Sequence, residues 1–239
     1  MAIKVVRLLP ASTWGLFGSV LAISASIPSS ALQQARDRQD LPALQAMITQ
    51  CQQAAQAKSQ SADAQYRLAL AYSYAAEVAI EARDKKKAEQ LAEAGVEAAK
   101  KAISATGANA EYHRLLGELC GQAIPGNPVF GSLKYGQCAR DEINKAIELN
   151  GKFALAYVSR GVGNFYVPAS MGGSIDLALK DFEKAIALDS DLADAYLWRG
   201  VALRKANRDA EARASLRRAL ELDPNRLWTK QLLEKTPAR

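Results

Sequence analysis

Histidine occurs once in the 239 residues, cysteine three times, and aromatic residues make up 7% of the chain. A lone His113 excludes multi-histidine metal sites and the Cys-His clusters that zinc needs. It also excludes most Ser-His-Asp arrangements, since no other imidazole could serve as the base. Few aromatics and only eight prolines, set in an alanine-rich chain, favour helix over sheet. Charged residues are 23% of the total, an ordinary share, so the composition is that of a folded chain. The net charge of +6 falls to 29 − 25 = +4 without Lys4 and Arg7, a mild and spread-out excess that does not argue for a nucleic-acid partner. The length allows one or two domains with a real core.

Residues 1–31 read as a secretory signal. Lys4 and Arg7 form a basic start, residues 8–27 a weakly apolar stretch, and Ser29 and Ala31 stand at −3 and −1 of a cleavage site. A cut nearer Ala25 or Ser26 is an alternative, and so is a retained inner-membrane anchor. No cysteine near the cut offers a site for lipid attachment, and no second segment approaches membrane-spanning length. The mature chain is therefore expected in the periplasm or outside the cell, with membrane contact only if this segment is kept.

The rest of the chain repeats. In 193–224, Tyr196, Gly200, Leu203, Ala212, Leu216, Ala219 and Pro224 occupy positions 4, 8, 11, 20, 24, 27 and 32 of a helix-turn-helix unit. A second copy carries Tyr157, Gly161, Ala178, Phe182 and Ala185, and a third Leu116, Gly117, Cys120, Ala139, Ile143 and Ala146. The most divergent has Leu68, Ala69, Tyr72, Gly95, Ala99 and Ala102. The pattern resembles the 34-residue tetratricopeptide repeat, with Arg199 departing from its leucine position. The resemblance covers residues 41–235. It implies an all-α, right-handed solenoid of antiparallel helix pairs, a role in protein–protein interaction, and no reaction. The repeats would be 62–109, 110–153, 154–192 and 193–226, after an N-terminal half-repeat at 32–60 and before a capping helix ending near 235 and a tail at 236–239.

Spacing separates two kinds of turn. From Ala102 to Gly117, Ala146 to Gly161 and Ala185 to Gly200 the step is always 15. Within repeats, Ala69–Ala102, Gly117–Ala146, Gly161–Ala185 and Gly200–Ala219 span 33, 29, 24 and 19 residues. All insertions thus fall in the turn between the two helices of a repeat. The turns between repeats, which set the stacking that buries the core, keep one length along the chain. The first insertion, 75–93, should lengthen two helices into a tall hairpin turning near Arg83-Asp84. The second, 122–137, reads as a loop with apolar content, and the third, 167–174, as a short irregular turn. Stepping back from Ala69 makes 41–57 a lone second helix with Met47 and Cys51 in the core.

Chemistry is hard to find. Neither PGNPVFGSLKYG nor PASMGGS matches a phosphate-binding loop. His113 sits at a packing position, and carboxylate pairs such as Asp181 and Glu183 or Asp141 and Glu142 do not share a helix face. The expectation is no catalytic residue, no metal and no cofactor. Cys120 and Cys138 flank the second insertion at the ends of two antiparallel helices, so an oxidising compartment would join them in a disulfide. Two reduced thiols are the alternative.

In such a solenoid the first helix of each repeat lines the concave face. The candidate groove residues are Tyr66, Leu70 and Tyr74, then Arg114 and Glu118, then Val158, Val162 and Phe165, then Leu197, Val201 and Arg204. They either form a mostly apolar binding groove or pack against the inserted loops and the tight superhelix. They do not reproduce the Lys/Asn/Arg clamp of chaperone-type repeats. The expected partner is an unidentified protein or peptide. A second resemblance, on the MGG turn at 171–173, the segment LALKDFEKAIALD at 177–189 and the Pro-Gly insert, is to the TatT-type component of TRAP transporters. It implies instead a small apolar ligand held inside the superhelix.

Overall fold

The computed structural model describes residues 27–238. Among them the regular elements are all helical: α1 Ser29–Asp37, α2 Leu41–Ala57, α3 Ala62–Glu81, α4 Lys85–Thr106, α5 Ala110–Gln122, α6 Pro128–Leu149, α7 Ala154–Tyr166, α8 Ile175–Leu188, α9 Ala193–Lys205, α10 Asp209–Leu222 and α11 Leu227–Glu234. A single 3₁₀ turn, Ala169–Met171, precedes α8. None of the described helices is long and apolar enough to cross a membrane.

Local chemistry sets these boundaries. Asp40, Ser61, Asp84, Asn109, Asn127 and Ser174 each cap the helix that follows by accepting from a backbone N–H of its first turn. Three tight turns share one construction. Gln39, Arg83 and Asn207 adopt left-handed φ values of 54°, 64° and 59°. The next residue donates its N–H five residues back, from Asp40 to Ala35, Asp84 to Ala79 and Arg208 to Leu203. The first insertion accordingly becomes the tall α3/α4 hairpin with its turn at 82–84.

Helices pack in chain order, and the first helices of successive pairs, α3, α5, α7 and α9, also touch along the inner face. Small residues permit this. A Cβ added to Gly117, Gly161 or Gly200 would come within 2.7, 2.5 and 2.7 Å of Ile143, Phe182 and Leu216 on the partner helix. Ala69, Ala102, Ala146, Ala178, Ala185, Ala212 and Ala219 are buried at the other contacts, and Ala139 is half-buried.

Two expectations are corrected. The helix at 41–57 is not alone: α1 precedes it, and the two form a hairpin with the same left-handed turn as α3/α4. Residues 29–31, which hold the expected cleavage site, form the first turn of α1, whose Leu32 is fully buried. A cut near Ala25 or Ser26 would leave α1 whole; those residues and the basic start lie outside the described residues. The second insertion is mostly helix, not loop. Asn127 caps α6 and Pro128 occupies its first turn, where a missing N–H costs nothing. Only residues 123–127 remain as a connection, and Cys138 lies well inside α6 rather than at its start.

The last repeat bridges back to the first helices. Arg226, immediately before α11, reaches α1 and α3, where its Nη1 donates to the Arg36 carbonyl at 3.3 Å. Gln231 of α11 donates to Gln39 at 3.1 Å, and Gln39 donates to Glu81 at 2.8 Å. Side chains thus bridge the last described elements to the first, and the inner face is enclosed over its first half.

Candidate interaction surface

That enclosed half is filled by charge. Arg36, Arg114 and Arg226 meet six carboxylates, Asp37, Glu77, Glu81, Glu111, Glu118 and Asp194. Arg226 is 1% exposed. It pairs with Glu77 at 2.7 Å, with Glu81, and with Asp37 at 3.8 Å. Arg36 bridges to Asp37 at 2.8 Å and to Asp194 at 3.4 Å, tying α1 to α9. Arg114 holds Glu111 at 2.6 Å and Glu118, and Ser73 donates to Glu118 at 3.0 Å. Buried guanidinium groups with forked, multiple partners are the form in which such charges are tolerated.

Burial and charge compete in this network. Burial pushes Glu81 up to about 7 despite Arg226 beside it, and raises Asp37 and Glu118 as well. Burial acts the same way on Asp194, but Arg36 and Arg226 together hold it below the ordinary carboxylate range. A carboxyl raised on folding binds more protons in the folded than in the unfolded chain between its two pKa values. Its contribution is present below the unfolded value, near 4.3 for glutamate, and is lost as pH rises through the folded one. Thermal stability is thus expected to fall from about pH 5 to pH 8. A melting series in this window, repeated on Glu81→Gln, checks it: the slope should flatten in the variant, and a slope rising with pH would refute the assignment.

The structure distributes the sequence-derived groove residues over three environments. Leu70, Val158 and Leu197 are core residues, 3%, 3% and 1% exposed, because adjacent inner helices pack too tightly to leave those positions open. Tyr66, Tyr74, Arg114 and Glu118 belong to the enclosed polar half. Tyr66 stacks on Tyr112 with centroids 5.0 Å apart and donates to Glu111 at 3.0 Å, while Arg36 lies 4.9 Å over the Tyr74 ring. The expected continuous apolar floor is therefore replaced here by ion pairs. Val162, Phe165, Val201 and Arg204 are partly exposed and line the second half.

There the inner face opens into an aromatic strip. Phe165 meets Tyr166 and Trp198 edge-on at 5.0 and 6.4 Å, and Trp198 meets Trp228 of α11 at 5.3 Å. Tyr166 remains 60% exposed, and Met171 beside the 3₁₀ turn is 70% exposed. Lys205 Nζ stands 4.6 Å over the Phe165 ring. Sequence reasoning found Phe165 but missed Trp198 and Trp228, which occupy positions off the groove register. It also missed Arg36, Glu77, Glu81 and Arg226, since their pairing spans up to 190 residues.

Other sequence features resolve as follows. Cys120 and Cys138 are joined in a disulfide with Cα atoms 6.0 Å apart, and Cys51 is a buried free thiol. His113 is buried, with Nδ1 2.6 Å from Glu142 and Nε2 3.2 Å from the Gly107 carbonyl. Much of the basic last repeat is already engaged: Arg208 with Glu211, Arg218 with Glu221, and Arg213 with the carbonyls of Leu233 and Thr236. A cleft of about 680 Å³ opens between α2, α3 and α4, lined chiefly by Gln52, Gln56, Gln60, Gln65 and Lys101. Among the described residues no group of three or more His, Cys, Asp or Glu is placed to hold a metal ion.

A family model described as regulator of microtubule dynamics protein 1-3 matches residues 29–171, more than half of the chain. The chain belongs to that family. Two tetratricopeptide-repeat models match 193–226 and 172–206, so the regulator-family segment continues into tetratricopeptide repeats. No curated protein matches the chain. Among solved structures, it is similar to TTC0263, a thermophilic tetratricopeptide-repeat protein of Thermus thermophilus. The two share 20% identity over 86% of this chain and 98% of that one, with a TM-score of 0.61. MamA is 21% identical over 82% of this chain and 89% of its own, with a TM-score of 0.42. YrrB, described as a tetratricopeptide-repeat protein with an unusual peptide-binding site, is 20% identical over 88% and 93%, with a TM-score of 0.40. The likeness to TTC0263 shows the solenoid fold of this family member.

Proposed function

We propose that the protein is a non-catalytic scaffold that holds a protein or peptide segment against the open half of its concave face. The aromatic strip of exposed Tyr166 on partly buried Phe165 and Trp198 carries this reading, because rigid aromatic side chains beside cations dominate the energetics of binding surfaces. The enclosed half supplies rigidity rather than contact. Affinity capture of partners from the native host, with wild type and Tyr166→Ala in parallel, tests the assignment. Tyr166 is largely exposed, so the variant keeps its stability while recovery of the partner falls at least ~10-fold. Equal recovery by both proteins would move the binding surface elsewhere.

The scaffold is proposed to act in an exported, oxidising location. The basic start, the weakly apolar stretch at 8–27 and the Cys120–Cys138 disulfide support this. Intact mass of the protein from fractionated host cells, before and after reduction, reports the processed end and the missing thiol hydrogens. Ion pairs where an apolar lumen was expected disfavour the transporter-accessory alternative. The family's name carries a second reading, a part in microtubule dynamics, which the match over 29–171 favours and the disulfide opposes. Co-sedimentation with polymerised tubulin under reducing and oxidising conditions decides it.

A further inference from the structure

The start of α6 presents three large apolar side chains to solvent. Val129, Phe130 and Leu133 are 69%, 69% and 80% exposed. They share an arc of about 100° on the helix, opposite Gly131 and Tyr135, which face the body of the protein. Neither the concave face nor the disulfide uses them.

Cations surround this turn. Side chains of α4 reach the segment that opens α6 in the same chain direction: Glu89 stands against Gly126, and Glu93 accepts from Lys134 at 2.9 Å and from Tyr135 at 2.8 Å. The start of α4 therefore lies at the same end as the apolar turn, and it carries Arg83, Lys85, Lys86 and Lys87. The carboxylates nearby are occupied or turned inward. Asp84 caps α4, Glu93 is held by Lys134 and Tyr135, and Glu89 is against the Gly126 backbone. Exposed lysines and the positive end of α4 thus flank a small apolar tip.

We propose that this tip is a docking wedge for the surface of an anionic lipid bilayer, with Val129, Phe130 and Leu133 entering the headgroup–acyl boundary and Lys85 and Lys86 meeting lipid phosphates. Three side chains fall well short of the ~800 Å² that each partner contributes to a stable protein interface. They suffice for shallow insertion when basic residues add attraction to negative headgroups. Ile27, the first described residue, lies away from the wedge: its carbonyl accepts from Arg67 near the start of α3, at the opposite end of the α3/α4 hairpin.

Vesicle co-sedimentation of the full chain tests the proposal, using phosphatidylcholine vesicles with and without phosphatidylglycerol. Wild type should bind the anionic vesicles and bind neutral ones far less. The double variant Phe130→Asp, Leu133→Asp should bind at least ~10-fold more weakly with an unchanged melting temperature, because both side chains are exposed. Lys85→Glu with Lys86→Glu should weaken binding on anionic vesicles only. These variants leave residues 1–26 intact, so undiminished binding would assign vesicle association to that segment and overturn the proposal. Absence of wild-type binding would overturn it, as would a wild-type dimer that Phe130→Asp converts to monomer.

Discussion

Replacing Arg226 by methionine is expected to lower the unfolding free energy by about 3–5 kcal/mol. The side chain is almost wholly buried, and its guanidinium faces Glu77, Glu81 and Asp37. Methionine fills much of the volume but leaves buried Glu81 without a cation and Asp37 and Glu77 with Arg36 alone. Losing one carboxylate is a different matter. Glu81→Gln should cost about 1 kcal/mol or less, because Arg226 keeps Glu77 and Asp37, and Glu81 is already raised towards neutrality by burial. The double variant should recover part of what Arg226→Met alone loses, which makes the coupling measurable as a cycle. Urea unfolding of the four proteins checks the energies. Hydrogen exchange adds the spatial signature: protection should fall first in α1 and α11, the two elements that Arg226 and Gln231 join. Uniform loss throughout the solenoid would mean that Arg226 supports the core generally and does not latch the ends.

The latch marks where sequence reasoning stops. Repeat positions are read from spacing because each is set by a partner within the same or the next helix pair. Gly161 must meet Phe182, and Gly200 must meet Leu216, whatever the rest of the chain does. Closure depends on superhelical curvature accumulated over all pairs, and no local pattern announces it. Arg226 simply follows the last repeat motif, and Arg36 lies before the first recognisable one. The groove suffered from the same cause. Leu70, Val158 and Leu197 are at concave positions by register, yet the tight curvature buries them between neighbouring inner helices. The α6 start was lost for a different reason. Proline and glycine in 125–131 suggested a loop, although Asn127-Pro128 is also a sound cap and first turn. The α1 helix was hidden because its small residues were assigned to a cleavage site.

Removing the disulfide should be the second large loss. Cys120 and Cys138 enclose the turn between α5 and α6, with a sequence separation of 18. The chain-entropy estimate for a loop of that size is about 3 kcal/mol. Cys120→Ala with Cys138→Ala should show a decrease of this order in denaturant unfolding, and reduction of the wild type should reproduce most of it. The location sharpens the expectation. Cys120 is fully buried at the end of the inner helix α5, whereas Cys138 is half-buried inside α6, so the bond ties the inserted first turns of α6 to the core. Without it, the connection at 123–127 and the apolar turn at 129–133 should become the first site of proteolysis. The repeats at 154–226 should retain their protection. Equal stability of oxidised and reduced protein would show that helix packing alone holds the hairpin. The preference for an oxidising location would then rest on the N-terminal segment only.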